Sequence, residues 1–275
     1  MPQIDTNNAA LKTLKGMHIW HADMSSCSQR VRIALAEKNQ NYTGHLINLH
    51  AGENASEEFQ AIHPKGLVPA MVIDGKLYIE SVDIIDEIDR HDGTPTLRPT
   101  DGTEDEVLRI MSVADKAQTP LKLLTFEFLF SAAPPPPIEI LEAFQRNHKN
   151  EYLKKFHRDF GAGFSRDRVY EAAAQCHIDF KMLDNLLADG RPYLAGENFS
   201  LADVAWMPNF HRFDLILWPF ENYPHLKAWF ARVKQRKSYQ DGLVDWEPEG
   251  FNDMVAPAIA ARKKKGDGVD AYLPN

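Results

Sequence analysis

The run Ser25-Ser26-Cys27-Ser28-Gln29-Arg30-Val31-Arg32-Ile33-Ala34-Leu35 imposes a strand-to-helix transition near the start of the chain and sets a cluster of small nucleophilic side chains on it. Met17-His18-Ile19-Trp20 before it reads as a short strand. Ser25 or Ser26 suits an N-cap, and Val31, Ala34 and Leu35 fall at amphipathic helical spacing. A helix start carries unpaired N–H donors and partial positive charge, which favour an anion such as a thiolate. A plain capped helix with a small buried cysteine satisfies the same residues. The stretch alone does not choose between the two.

The next forty residues narrow the fold. Residues 42–48 read as a second strand and residues 56–62 as a short helix. Pro64-Lys65-Gly66-Leu67-Val68-Pro69 then leads into two strands joined by Asp74-Gly75, a strong hairpin turn. Pro69 opens the first of these, where a cis peptide or an edge position is expected because proline cannot donate to a central ladder. Glu80-Ser81 closes the hairpin, Ser81 capping a helix with apolar Val82, Ile84, Ile85 and Ile88.

This order of elements resembles the thioredoxin-like, glutathione-binding domain of the cytosolic glutathione transferases. Gly196-Glu197-Asn198-Phe199-Ser200-Leu201-Ala202-Asp203 is similar to that family's helical-domain signature, Ser200 and Asp203 forming a capping-box pair. The fold class that follows is α/β plus all-α: a thioredoxin-like glutathione-binding domain followed by an all-helical domain. The resemblance implies a cis Val68-Pro69 bond, with Val68 hydrogen-bonding the cysteinyl backbone of glutathione and Glu80-Ser81 holding its γ-glutamyl end. Lys65 is a candidate for the glycine carboxylate of the same co-substrate.

The chemistry follows from thiol ionisation. A free thiol with a pKa of about 8.5 is only about 3% thiolate at pH 7, and lowering that value to about 6.5 takes roughly 2.7 kcal/mol of preferential stabilisation of the anion. A hydroxyl donor at a helix start has the right size of effect. The SSCSxRVRIAL string most closely resembles the zeta-class motif, which implies that Ser25 stabilises the glutathione thiolate, with Ser26 and Cys27 beside it. Gln29 departs from that motif, where an aromatic residue is usual. Met24-Ser25-Ser26-Cys27-Ser28 is also similar to tetrachlorohydroquinone reductive dehalogenases, which implies a nucleophilic Cys27. A third group, the β-aryl etherases of aromatic-degrading bacteria, needs only attack by the glutathione thiolate at a carbon bearing an aryloxy group. The expected enzyme is therefore a glutathione-dependent transferase acting on an apolar, aromatic electrophile. Its alternatives are reductive dehalogenation through Cys27, zeta-type maleylacetoacetate isomerisation, and a non-catalytic partner subunit.

At 275 residues the chain has material for two cores, and 44% hydrophobic with 25% charged residues is an ordinary globular balance. A net charge of −8 argues against a surface for nucleic acid or anionic membranes, and Lys263-Lys264-Lys265 is too short to reverse that. Two cysteines, Cys27 and Cys176, make no disulfide framework; with polar first residues and no long apolar run, a cytoplasmic protein is expected. No metal site is expected, since His18, His21, His45 and His50 lack partners at ligand spacing.

The expected divisions are a flexible arm over 1–15, the thioredoxin-like domain over 16–92, a linker over 93–103, the helical domain over 104–250 and a tail over 251–275. Within the helical domain, residues 104–130 form one helix bent at Thr119-Pro120, and 138–156 and 166–187 form two more. Residues 131–165, opened by four prolines, stand out as an elaboration. Its aromatics, with Phe126, Phe128 and Phe130, suit either an apolar substrate wall or ordinary core packing. A homodimer is expected, a heterodimer with a paralogue being the variant, and Asp115 is placed near the site from either subunit.

Overall fold

A computed structural model describes residues 3–6, 8–94, 96–99 and 102–274. Pro95, Thr100 and Asp101 of the expected linker, and Met1, Pro2 and Asn7 of the expected arm, lie outside the described residues.

The N-terminal half is a five-stranded sheet in the order β1-β5-β4-β2-β3: β1 (Gln3–Ile4), β2 (Met17–His21), β3 (Thr43–Leu46), β4 (Ala70–Ile73) and β5 (Lys76–Ile79). Parallel pairing of β2 with β3 requires a crossover, supplied by α2 (Ser26–Glu37), while β4 and β5 form the hairpin turned by Asp74-Gly75. Short α3 (Glu57–Gln60), capped by Ser56, precedes the hairpin, and α4 (Ser81–His91) follows it. The Val68-Pro69 peptide is cis and stands just outside β4, so a central strand keeps its full ladder.

The first residues are not a loose arm. Gln3 and Ile4 pair antiparallel with Tyr78 and Leu77, and α1 (Ala9–Thr13) buries Leu11 in a cluster with Trp20, Phe59 and Leu77. Two strand residues give too short a pattern to read as period two; the free edge of β5 supplies the pairing. The 93–103 segment is tied down as well. Asp89 Oδ1 accepts from the N–H groups of Thr96 and Leu97, and the Leu97 carbonyl accepts from Leu201 N–H at 2.9 Å.

The helical half comprises α5 (Glu104–Lys116), α6 (Gln118–Phe128), α7 (Ile138–Asn147), α8 (Glu151–Ala162), α9 (Arg166–Leu187), α10 (Leu201–Leu215), α11 (Pro224–Val233), α12 (Lys237–Gly242) and α13 (Phe251–Lys264). Where one bent helix is expected over 104–130, the chain breaks at Ala117 and restarts, with Pro120 in the first turn of α6, where a missing N–H costs nothing. The single helix expected over 138–156 is also two. His148 leaves helical geometry and Asn150 caps α8, accepting from Leu153 N–H at 3.1 Å. The tail folds onto the body, with α13 burying Val255 and Ile259, and Tyr272 meeting Phe128 at 5.7 Å.

Central α10 is buried along most of its length. Its capping box is formed: Asp203 accepts from Ser200 N–H at 2.8 Å, and also from Leu194 N–H and the Trp229 indole. One apolar core runs through both halves, joining Ile19, Ile33 and Ile85 to Ala114, Trp206 and Phe210. The seam is tight at α12, where a Cβ on Gly242 would stand 2.7 Å from Ile33 N and 2.9 Å from Arg32 C, both backbone atoms of α2.

Gly242→Ala is therefore expected to lower unfolding free energy by about 1–3 kcal/mol or more, read from urea denaturation, since neither backbone can yield cheaply. A second expectation concerns acid. Burial pushes His21, His63 and His157 each down to about 4, so each is neutral in the fold and takes up a proton on unfolding once pH falls below about 6.5. Stability should fall as pH drops from about 6.5 toward 4, and unfolding midpoints that stay flat across that window would contradict this account.

Candidate active site

Three chain segments meet because of sheet register. Trp20 of β2 pairs with Ala70 of β4, and Ala70 pairs with Ile79 of β5. The residues just beyond that row, 21–25, 68–69 and 80–81, therefore emerge together at one edge of the sheet. Ser25, Cys27, Val68, Pro69, Glu80 and Ser81, brought out by the sequence, all lie on these segments or on the first turn of α2.

Ser25 is the N-cap of α2, and its Oγ accepts from Ser28 N–H at 3.3 Å. That bond uses a lone pair and leaves the hydroxyl proton available as a donor. Cys27 is half-buried on the first turn, one residue past Ser26. Ser26 is drawn elsewhere: its hydroxyl donates to Gln118 Oε1 at 2.8 Å, and Gln118 Nε2 donates in turn to Asn209 Oδ1 at 2.6 Å. This chain ties the start of α2 to α6 and α10, so the hydroxyl proton of Ser26, expected beside Ser25 at the thiolate, is engaged in a bridge between the domains. Neither Gln118 nor Asn209 stands out in the sequence, because their partners lie more than ninety residues away.

At the other side of the edge, Ser81 opens α4, so its backbone N–H has no partner within the helix. Its Oγ accepts from buried Arg30 Nη1 at 2.9 Å. Glu80 before it has a φ of +66°, a strained region for a non-glycine residue, held by the hairpin on one side and the helix on the other. Lys65 Nζ lies 2.7 Å from Glu80 Oε1, with both side chains exposed. Asp83 and Asp115 stand close enough to interact, and burial with neighbouring acidic charge raises the Asp83 carboxyl above its ordinary value. Asp115 itself is exposed.

The loop leading to Val68 is anchored by the elaboration. Buried His148 Nε2 lies 3.2 Å from the Gly66 carbonyl and 3.3 Å from Asn54 Nδ2, and Asn54 also donates to that carbonyl. Gly66 has a φ of +60°, and a Cβ there would fall 2.5 Å from His148 Nε2. Only glycine fits. Asn150 Nδ2 donates to the Lys65 carbonyl, so the α7–α8 turn grips this loop at successive residues.

Arg30 and Arg32 are buried at the domain seam, where each bonds the helical domain on one side and the segments of the sheet edge on the other. Gln29 is buried with its amide unpartnered among the described residues. Of the aromatics, Phe128, Phe144 and Phe156 are core, whereas Phe126, Phe130, Phe160 and Phe164 are half-buried and Tyr152 is exposed. His18 and His45 pair at 3.1 Å, with the His45 ring stacked on Trp20. Among the described residues no group of three or more His, Cys, Asp or Glu is placed to hold a metal ion, and no helix is long and apolar enough to cross a membrane.

A sheet edge that gathers a capped helix start, a cis-proline loop and a second helix start, backed by an all-helical domain, defines a glutathione transferase. The family models for the glutathione S-transferase N-terminal and C-terminal domains match residues 24–91 and 164–232. Glutathione S-transferase 2 of Saccharomyces cerevisiae is 31% identical over 236 residues, covering 84% of this chain and 91% of that protein. The chain belongs to the glutathione S-transferase family, whose co-substrate is glutathione. The tetrachloro-p-hydroquinone reductive dehalogenase of Sphingobium chlorophenolicum is 27% identical over 245 residues, covering 82% and 95% of the two chains. A β-etherase of Sphingobium sp. strain SYK-6 shares the fold with a TM-score of 0.72 at 21% identity, covering 82% of this chain and 98% of that one.

Because the Lys65–Glu80 pair is exposed, it contributes no more than about 1 kcal/mol to stability. Glu80→Gln and Lys65→Ala should therefore unfold within about 1 kcal/mol of the parent. Glu80→Gln should still weaken retention on immobilised glutathione by about tenfold, the effect of a charge-assisted hydrogen bond of about 1.4 kcal/mol.

Proposed function

We propose that this transferase uses Ser25 to hold the glutathione thiolate while it attacks an apolar, aromatic electrophile, with cleavage of a β-aryl ether as the representative reaction. The observation that carries the reading is the state of Ser25: its oxygen is occupied by the helix cap while its proton stays available at the sheet edge. In this reading the γ-glutamyl carboxylate takes the free N–H of Ser81, the ammonium takes Glu80, and Val68 bonds the cysteinyl backbone. Lys65, set against Glu80, then serves the γ-glutamyl side rather than the glycine carboxylate. The thiolate donates its electron pair to the carbon, a C–S bond forms, the C–O bond breaks, and the aryloxide leaves with its pair and is protonated by water. A cytoplasmic homodimer, or a heterodimer with a paralogue, completes the reading, with Asp115 facing the γ-glutamyl side.

Reductive dehalogenation is the second reading, favoured by half-exposed Cys27 on the first turn of α2 and by the dehalogenase relative. There Cys27 thiolate attacks the sulfur of a glutathionyl-aromatic adduct. The carbon–sulfur pair returns to the ring and is protonated, and a second glutathione resolves the mixed disulfide.

The test is turnover of aryl-ether, halogenated hydroquinone and maleylacetone substrates by Ser25→Ala and Cys27→Ala. Ser25→Ala should lose about 100-fold in kcat/KM at pH 7, equivalent to about 2.7 kcal/mol, and the deficit should shrink toward pH 9 as glutathione ionises unaided. Loss of dehalogenation in Cys27→Ala with Ser25→Ala intact would replace the serine reading by the cysteine one. Maleylacetone as the preferred substrate would select the isomerase, and absence of all turnover and glutathione binding would select a non-catalytic partner subunit.

A further inference from the structure

On α6, Gln118, Lys122 and Phe126 recur every four residues and so share one helical face. Gln118 accepts the Ser26 hydroxyl, which turns that face toward the start of α2. Phe126 meets Phe156 and Phe160 edge-on at 5.0 and 5.1 Å, which turns it toward α8 as well. Lys122 lies between these two contacts. Its ammonium stands 4.4 Å from the centre of the Phe156 ring and 6.0 Å from that of Tyr152.

Among the described residues no carboxylate pairs with this ammonium, and the Cys27 side chain is near enough to interact with it. Burial pushes Lys122 down to about 8, while His148 and His157 beside it are pushed below their ordinary value and stay neutral at pH 7. Ring faces attract a cation without replacing the hydrogen bonds that water or an anion would give it. Lys122 is thus a half-buried cation lacking an anion, walled by aromatic rings and set on the side of α2 that carries Cys27.

We propose that Lys122 is a substrate-recognition residue that binds an anionic oxygen, carboxylate or phenolate, carried by the aromatic electrophile, whose ring lies against exposed Tyr152 while buried Phe156 backs the ammonium. This rests on the glutathione reading above and narrows its substrate class from apolar aromatics to acidic ones.

Binding of three product analogues tests it by calorimetry, without turnover: S-benzylglutathione, S-(4-carboxybenzyl)glutathione and S-(4-hydroxy-3-nitrobenzyl)glutathione. The parent protein should bind at least one anionic analogue about tenfold more tightly than the neutral one, and which one separates carboxylate from phenolate. Lys122→Met should erase that preference while leaving S-benzylglutathione affinity within about threefold, and Lys122→Arg should keep it. No preference in the parent protein overturns the proposal even if the methionine variant fails to fold. Equal weakening of all three analogues in Lys122→Met overturns it too, because a lysine that only steadies Cys27 or the local packing would act on every ligand alike. If the parent protein binds none of the three, the glutathione reading itself falls.

Discussion

Three successive carbonyls, those of Ala22, Asp23 and Met24, are each held by a buried arginine, and the position of the whole sheet edge depends on them. Arg32 donates to Ala22 at 3.0 Å and to Asp23 at 2.9 Å, and Arg212 of α10 donates to Met24. These residues lead directly to Ser25. A guanidinium removed from water is costly unless its donors are met, so each arginine specifies the positions of its acceptors closely. Burial lowers Arg32 and Arg212 only to about 10, so both keep their charge at neutral pH. The backbone carbonyls supply the hydrogen bonds, and the carboxylates of Asp23, for both, and Glu247, for Arg212, favour the charge from further off.

The same device couples the two domains. Arg32 Nε reaches the Gly242 carbonyl, and Arg30 reaches the carbonyls of Ala205 and Ala114 together with the Ser81 hydroxyl. One helix, α2, therefore carries the capped start that faces the site and the cations that bind the helical domain behind it. Ser81 receives its bond from the same arginine that docks on α10 and α5, so both helix starts at the sheet edge take their positions from the helical domain. The Ser26–Gln118–Asn209 chain adds a third tie of the same kind. Isolating the thioredoxin-like half would strip Arg30 of its Ala205 and Ala114 acceptors and Arg32 of Gly242, and would also cut the single apolar core that crosses the boundary.

What was legible in the sequence was local. The SSCS cap, the Asp74-Gly75 hairpin and the Ser200–Asp203 box each depend on residues within a few positions of one another, and each forms as read. Ser81, by contrast, expected to cap its helix, is the first residue inside α4: Glu80 takes the N-cap position without a side-chain cap bond, and the Ser81 hydroxyl is drawn to Arg30 instead. Long-range acceptors were not legible, because nothing in the spacing of Arg30 or Arg32 tells which carbonyl two hundred residues away will meet it. The division of 138–156 into two helices was missed for a related reason. Asn150 is a good cap in isolation, but the break is stabilised by His148 and Lys149 docking on Gly66 and Gln60 across the domain boundary. Likewise the first strand is a strand only because β5 has an open edge beside it.

That break also decides how the elaboration can act. On one side of it, His148 and Asn150 grip the carbonyls of Gly66 and Lys65, in the loop that delivers Val68 and sets Lys65 against Glu80. On the other, α8 carries Tyr152 and Phe156 to the ammonium of Lys122. Three residues of turn thus fix both the cis-proline loop and the aromatic wall. Since His148 and Asn150 are bonded to the Gly66 and Lys65 carbonyls, a shift of α8 relative to α6 is opposed by the same contacts that hold the cis-proline loop. An inserted segment of this kind shapes one side of a cleft without loosening the other, because its anchor and its wall are adjacent in sequence.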